Sequence, residues 1–234
     1  MLGTLAATLR ERMDDPHCNP RLLRNTYEQF RIVNRLVSGW TRLFDRYLLP
    51  RAGRQASLLD IGSGGGDVAL LLVRHAARRG VKLQVTGIDP DERANRYARE
   101  RWREAPFAVR FERATAQELL ERGESFDFVV SNHLLHHLPE ERLAQFLEVS
   151  GSLARRLALH NDLLRHPLAF GLFWLGALPF RDSFIRDDGL RSIRRAFTAA
   201  ELRGIVPPGW QVHGSRPFRN VLLLERGNAL NRDG

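Results

Sequence analysis

The residues best suited to chemistry lie in "LLDIGSGGGDVAL", residues 58–70, where four glycines fill five positions behind an acid. Glycine weakens helix and strand interiors, so such a cluster marks a place where bare backbone approaches something closely. A phosphate-binding GxxxxGK[ST] loop needs a lysine, and none lies near. A GxGxxG dinucleotide fingerprint that starts on Gly62 and Gly64 puts Asp67 where its third glycine belongs. A carboxylate there, at a helix N-terminus, would repel pyrophosphate. The pattern that remains is Asp60-x-Gly62-x-Gly64-x-Gly66. Side chains able to take a proton from a reacting hydroxyl gather further along: His133, His136, His137, His160, Asp162 and His166. His17 beside Cys18 has no further ligands at metal spacing, so no metal site is expected.

The elements that must position these groups follow from periodicity. From residue 57 short apolar runs alternate with helical segments. Strands are expected at 57–61, 82–89, 108–113, 126–131 and 155–161, with helices at 67–80, 91–103, 115–123 and 139–153. That alternation predicts an α/β fold, a Rossmann-like doubly wound sheet of seven strands, mostly parallel and covered on both faces. Runs 210–215 and 220–226 are joined only by "RPFR", which makes the C-terminal pair an antiparallel hairpin. Ahead of the sheet, Asn19 and Pro20 signal a helix start. Leu23, Tyr27, Phe30, Val33, Leu36 or Val37, Trp40, Phe44 and Tyr47 continue at helical spacing, with a bend or break expected near Ser38-Gly39. Two domains are expected: an N-terminal helical extension or lid over 1–50, and a ligand-binding domain over 51–234 with a substrate-facing insertion at about 163–200. The run "PLAFGLFWLGALPF" (167–180) is too short to span a bilayer and reads as a buried helix or the wall of an apolar pocket.

The glycine loop resembles the first motif of class I S-adenosylmethionine-dependent methyltransferases. "FDFVVSNHLLHHLPEE" resembles a segment of their small-molecule, ubiquinone/menaquinone methyltransferase-like branch, and the resemblance covers roughly residues 50–226. It implies S-adenosylmethionine as cofactor and S-adenosylhomocysteine as product, held by Asp60, Gly62, Ser63, Gly64, Gly66, Asp89, Pro90, Thr115, Ala116 and Asn132. Asp60 would receive the cationic methionine end. Asp89 in "VTGIDP", about 20 residues after the loop, would accept from the ribose hydroxyls; capping the next helix is its other reading. One departure stands out. Where these enzymes often carry "GDA", this chain reads Ala114-Thr115-Ala116, so Thr115 takes the place of the adenine-binding acid. For proton removal the candidates narrow to His133, His136 and Asp162, each of which has a structural reading as a packed or capping residue.

Aromatic residues on two sides, Tyr27, Phe30 and Trp40 and then Phe170, Phe173 and Trp174, suggest a hydrophobic small-molecule acceptor: phenolic, polyketide-like or quinone-like. O-methylation is placed ahead of C-methylation. The alternatives are an RNA or protein methyltransferase, or a partner subunit that keeps the fold without transfer. The net charge of +9 rests on scattered arginines, with Lys82 the only lysine, and the fourth strand ends in "SNHL" without a "[DN]PP[FYW]" segment. Nucleic acid is therefore not expected as substrate. One cysteine and the absence of a secretory-type apolar run in "MLGTLAATLRERMDDP" point to a cytoplasmic protein, a monomer or homodimer without a membrane span.

Overall fold

In the computed structural model, residues 5–6 and 9–226 are described. The outermost parts of both expected domains (1–4, 7–8 and 227–234) lie outside them. The predicted strands form β1 (Gln55–Ile61), β2 (Lys82–Ile88), β3 (Val109–Glu112), β4 (Phe126–Asn132), β5 (Ala154–Leu163), β6 (Gln211–Ser215) and β7 (Arg219–Glu225). They make one sheet in the order β3-β2-β1-β4-β5-β7-β6. The first five are parallel, and β7 runs antiparallel to both β5 and β6. Leu58, Leu59, Phe128, Val129, Val130 and Leu157 are solvent-free. Burial on both faces is why these strands read as continuous apolar runs. Because parallel strands end at one edge, Ile61 pairs with Ser131 and Asn132 with Asn161, and all four sit at the carboxyl edge. β7 enters at that same edge, since Arg219 pairs with Leu163.

Helices cover both faces. α1 (Pro20–Val37) starts at Asn19, whose side chain accepts from the backbone N–H groups of Arg21 and Leu22. The expected bend near Ser38-Gly39 is a full break: Gly39 has φ 73°, and the chain restarts as α2 (Trp40–Leu43), a π-helical turn (Phe44–Leu48) and α3 (Leu49–Ala52). α4 (Asp67–Arg78), α5 (Glu92–Arg101), α6 (Ala116–Glu121) and α7 (Glu140–Leu153) occupy the predicted connections. α8 (Pro167–Gly176), α9 (Ile185–Arg195) and α10 (Ala199–Ile205) fill the crossover to β6.

The structure overturns one reading of the apolar run, that of a buried helix, while its Phe173 does line the cavity described below. α8 buries only Ala169, while Leu168, Leu172, Trp174, Leu175 and Leu178 along this stretch are exposed. The helix is apolar all round but has a neighbour on one side only. Phe173 is wedged over Gly189 of α9, where an added Cβ would lie 2.2 Å from the Phe173 ring. No described element covers its other faces.

Candidate functional site

The carboxyl edge of the sheet frames a cavity of about 380 Å³, within the roughly 300–1,000 Å³ typical of small-molecule sites. Its floor is the glycine loop. Gly64 has φ 51° and nothing within 4 Å of where a Cβ would stand, so its backbone lies open to the cavity. Gly66 has a different role. Its φ of 75° starts α4, and a Cβ there would meet the Phe111 ring at 2.4 Å. It does not line the cavity, whereas its neighbour Gly65, which the sequence reading passed over, does.

Three carboxylates face this floor: Asp60 at the end of β1, Asp67 in the first turn of α4 and Asp89 just past β2. Asp60 is 1% exposed, and its Oδ2 has no hydrogen-bond partner. Burial, reinforced by the charges of Asp67 and Asp89, pushes its pKa well above the usual carboxylate range. Burial also raises Asp67 to about 6, although Asn34 Nδ2 donates to it at 2.9 Å. Asp89 accepts from the backbone N–H groups of Gly64 (3.0 Å) and Asp91 (2.9 Å), and burial raises it too. The cap of α5 is Asp91, not Asp89. Of the three, only Asp60 is both fully buried and left with an unpaired oxygen, a position that a cationic group would stabilise.

A hydrogen-bonded chain fastens the N-terminal helices to this edge. Asn132 Nδ2 donates to Asn34 Oδ1 at 3.2 Å, while Asn132 Oδ1 accepts from Trp40 Nε1 at 3.0 Å and Asn161 Nδ2 at 3.2 Å. Trp40 is therefore a fully buried anchor and not part of the cavity wall. Of the other aromatic candidates, Tyr27, Phe30 and Phe173 line the cavity. Phe170 borders a separate small depression with Arg12 and Asp187, and Trp174 is exposed beneath the guanidinium of Arg186. Ser63, Gly62, Pro90 and Asn132 line the cavity, but Thr115 and Ala116 do not. Thr115 caps α6 in a reciprocal box with Glu118, which consumes its hydroxyl, and Ala116 is buried behind it.

Of the proton-handling candidates, His133, His136, His160, Asp162 and His166 are committed to partners. His133 lines the cavity at φ 57°, a left-handed conformation that costs a side-chain-bearing residue about 1–2 kcal/mol. Its Nε2 accepts from the Arg219 guanidinium. Burial and that positive charge push its pKa well below the ordinary value, so it is neutral with its lone pair occupied. His136 Nδ1–H donates to Asp162 Oδ1 at 2.7 Å, and its Nε2 lies 3.4 Å from Glu11 Oε1. Burial opposes its charge, but Asp162 and Glu11 lift it to about 9. Asp162 also accepts from the backbone N–H groups of His136 and Leu163, and neither it nor His136 faces the cavity. His160 is enclosed by the Ser131 and Ser150 hydroxyls, and burial lowers it to about 3. His166 caps α8.

Glu11, Asp14 and Arg219 border the cavity as well. Asp188 and Ser192 of α9 hold the strand-free segment before α1. Asp188 accepts from the Arg12 and Met13 backbone N–H groups at 2.7 and 2.9 Å, and Ser192 Oγ–H donates to Glu11 at 2.5 Å. Arg219 had a signal in the sequence, because an antiparallel hairpin returns its second strand to the carboxyl edge. Nothing local foretells that residues 11–14 meet a turn more than 120 residues away. The His17-Cys18 pair points elsewhere: Cys18 contacts Arg93 and the Met13 carbonyl.

Comparison with known proteins places this architecture. Residues 58–156 match the family described as a methyltransferase domain. The chain is 40% identical over 147 residues to 27-O-demethylrifamycin SV methyltransferase of Amycolatopsis mediterranei (58% of this chain, 50% of that protein). It is 38% identical over 92 residues to the ubiquinone biosynthesis O-methyltransferase of Agrobacterium fabrum (38% of this chain, 34% of that protein). The matches thus span a third to a half of those relatives' length. In fold it is similar to the plantazolicin methyltransferase BpumL, solved in complex with SAH, with TM-score 0.60, 14% identity and coverage of 88% of this chain and 95% of that one.

Proposed function

We propose that the chain, which matches a methyltransferase domain over residues 58–156, is a class I methyltransferase of the small-molecule branch and transfers a methyl group from S-adenosylmethionine to a hydrophobic small molecule, with oxygen preferred over carbon as acceptor atom. The observation that carries this is Asp60 Oδ2, a buried carboxylate oxygen without a partner beside the open backbone of Gly64. The residues present fit the cofactor. Asp60 supplies the negative charge its ammonium needs, with Asp67 behind it. Gly62, Ser63 and Gly64 leave room for its amino-acid end. Asp89, whose oxygens each keep a second lone pair, and Pro90 take the ribose side. Bound there, the cofactor supplies an electrophilic methyl on its sulfonium sulfur. The protein's share is orientation and exclusion of water. Tyr27 and Phe30 on α1 and Phe173 on α8 give the cavity apolar wall, Tyr27 beside Gly65 of the glycine loop, which supports the N-terminal helices as a lid. No described feature supports adenine recognition by Thr115 or Ala116.

Among the described residues no helix is long and apolar enough to cross a membrane. A lone Cys18, unable to form an intrachain disulfide, supports a cytoplasmic setting. Titration of the purified chain with S-adenosylhomocysteine, followed by mass spectrometry of an extract incubated with isotopically labelled S-adenosylmethionine, tests the proposal. Failure to bind either compound would sink it.

A further inference from the structure

Glu11, near the start of the chain, converges with His136 and His137, more than 120 residues further on. Glu11 precedes α1, and the histidines occupy the 3-10 turn after β4 (Leu135–His137). Glu11 Oε1 lies 3.4 Å from His136 Nε2 and 3.6 Å from His137 Nε2, and one ligand atom from each residue falls within 4.8 Å of the other two. We propose that these three residues form a site for a divalent transition metal of the zinc class, with its open position toward the cavity.

Spacing is the first argument. Ligands bound about 2.0–2.2 Å from a tetrahedral ion stand about 3.3–3.6 Å apart, and both measured separations lie in that range. The second is the outer shell. A metal-binding imidazole normally donates its other N–H to a carboxylate, which fixes ring and tautomer. His136 Nδ1–H does so to Asp162 Oδ1 at 2.7 Å, and Asp162 is itself locked by two backbone N–H groups. His137 Nδ1 points at Asp14 Oδ2, 3.4 Å away. Ser192 fixes the Glu11 carboxylate. A bare cluster of acids would have none of this orientation. The ion occupies the His136 Nε2 lone pair, so any proton held there leaves to solvent as it binds.

Two imidazoles with one carboxylate favour zinc, cobalt or iron over magnesium or calcium, which prefer all-oxygen shells. Three protein ligands leave a fourth position, as in catalytic zinc sites. Glu11 and His137 border the cavity and His136 lies behind them, so that position opens where an acceptor would sit. It would take a water, or a hydroxyl or carbonyl oxygen of the acceptor, and lower the pKa of a bound hydroxyl. This matters because His133, His136 and Asp162 have no free lone pair facing the cavity. That use of the site rests on the methyl-transfer reading; metal binding does not.

The test uses the full chain, stripped with a chelator and titrated with Zn2+ by calorimetry and with Co2+ by visible absorption. One ion per chain is expected, with Co2+ bands of a nitrogen- and oxygen-ligated site. His137→Ala and Glu11→Gln should each weaken Zn2+ binding by at least about 10-fold. His137 is partly exposed, so its variant should retain the wild-type circular dichroism spectrum and melting temperature. Cys18→Ser should bind as the wild type does. No uptake of either ion, uptake that survives His137→Ala, or uptake lost in Cys18→Ser would overturn the site. S-adenosylhomocysteine titrated into the same stripped protein separates the two ideas. Binding of that compound without metal uptake removes the metal site and leaves the methyltransferase, and the converse result does the opposite.

Discussion

Replacing Asp60 with Asn should move cofactor affinity and apo-protein stability in opposite directions. The side chain keeps its shape but loses its charge. Asp60 Oδ2 has no partner, and burial plus the charges of Asp67 and Asp89 raise its pKa. A carboxyl group with a folded-state pKa above its unfolded value adds stability below the unfolded value and loses it as pH rises through the folded one. Asp67, raised from 3.8 to about 6, shows the scale: on the order of 3 kcal/mol is lost once it ionises. The apo protein should therefore lose stability between about pH 4 and pH 6 and above. Asp60→Asn should blunt that loss and be more stable than the wild type by about 1–3 kcal/mol at pH 8, because a buried carboxyl whose pKa is raised by folding gives way to an amide that does not titrate. Binding should weaken instead. A hydrogen bond between charged groups contributes about 1.5–3 kcal/mol, so S-adenosylhomocysteine affinity should fall by about 10- to 150-fold. Urea denaturation and calorimetry, each at pH 5 and pH 8, read the two effects. A variant that is less stable at pH 8 and binds as tightly as the wild type would refute the assignment of Asp60 to the ligand's cation.

Three other substitutions probe the frame. Gly66→Ala, with φ 75° and the Phe111 ring 2.4 Å from the new Cβ, should cost more than about 3 kcal/mol in urea denaturation or prevent folding, although Gly66 does not line the cavity. Trp40→Phe removes the indole donor to Asn132 and leaves a small void in a fully buried position, for an expected loss of about 1–3 kcal/mol; a change below 0.3 kcal/mol would contradict the anchoring role. Leu172→Ser on the uncovered side of α8 should change stability by less than about 0.5 kcal/mol by the same measurement, where a buried leucine would cost several.

The sheet, its seven strands and the antiparallel hairpin were legible in the sequence because apolar runs of strand length, punctuated by helical periods, admit few arrangements. That Asp60, Gly62, Gly64 and Asp89 would meet at the carboxyl edge was legible because strand ends and tight turns are local events. Other assignments failed where the deciding contact was distant. Gly66 and Gly64 look alike in sequence; only the position of Phe111, on another strand, gives one to packing and leaves the other to the cavity. Trp40 reads as an apolar wall until Asn132 supplies a partner for its N–H. Thr115 sits where a family acid would be, yet Glu118 has taken its hydroxyl.

The sequence by itself thus determined the layering, the edge at which the cavity opens and the glycine floor of that cavity, since period, glycine placement and parallel connection are properties of short stretches. The tertiary structure alone decided the proton inventory and the walls. It paired His133 with Arg219 and His136 with Asp162, brought Glu11 beside His137, and left most of α8 uncovered. Those outcomes depend on burial and on partners more than 20 residues away, and no local pattern encodes the free energy of a charge in a place the chain has yet to build.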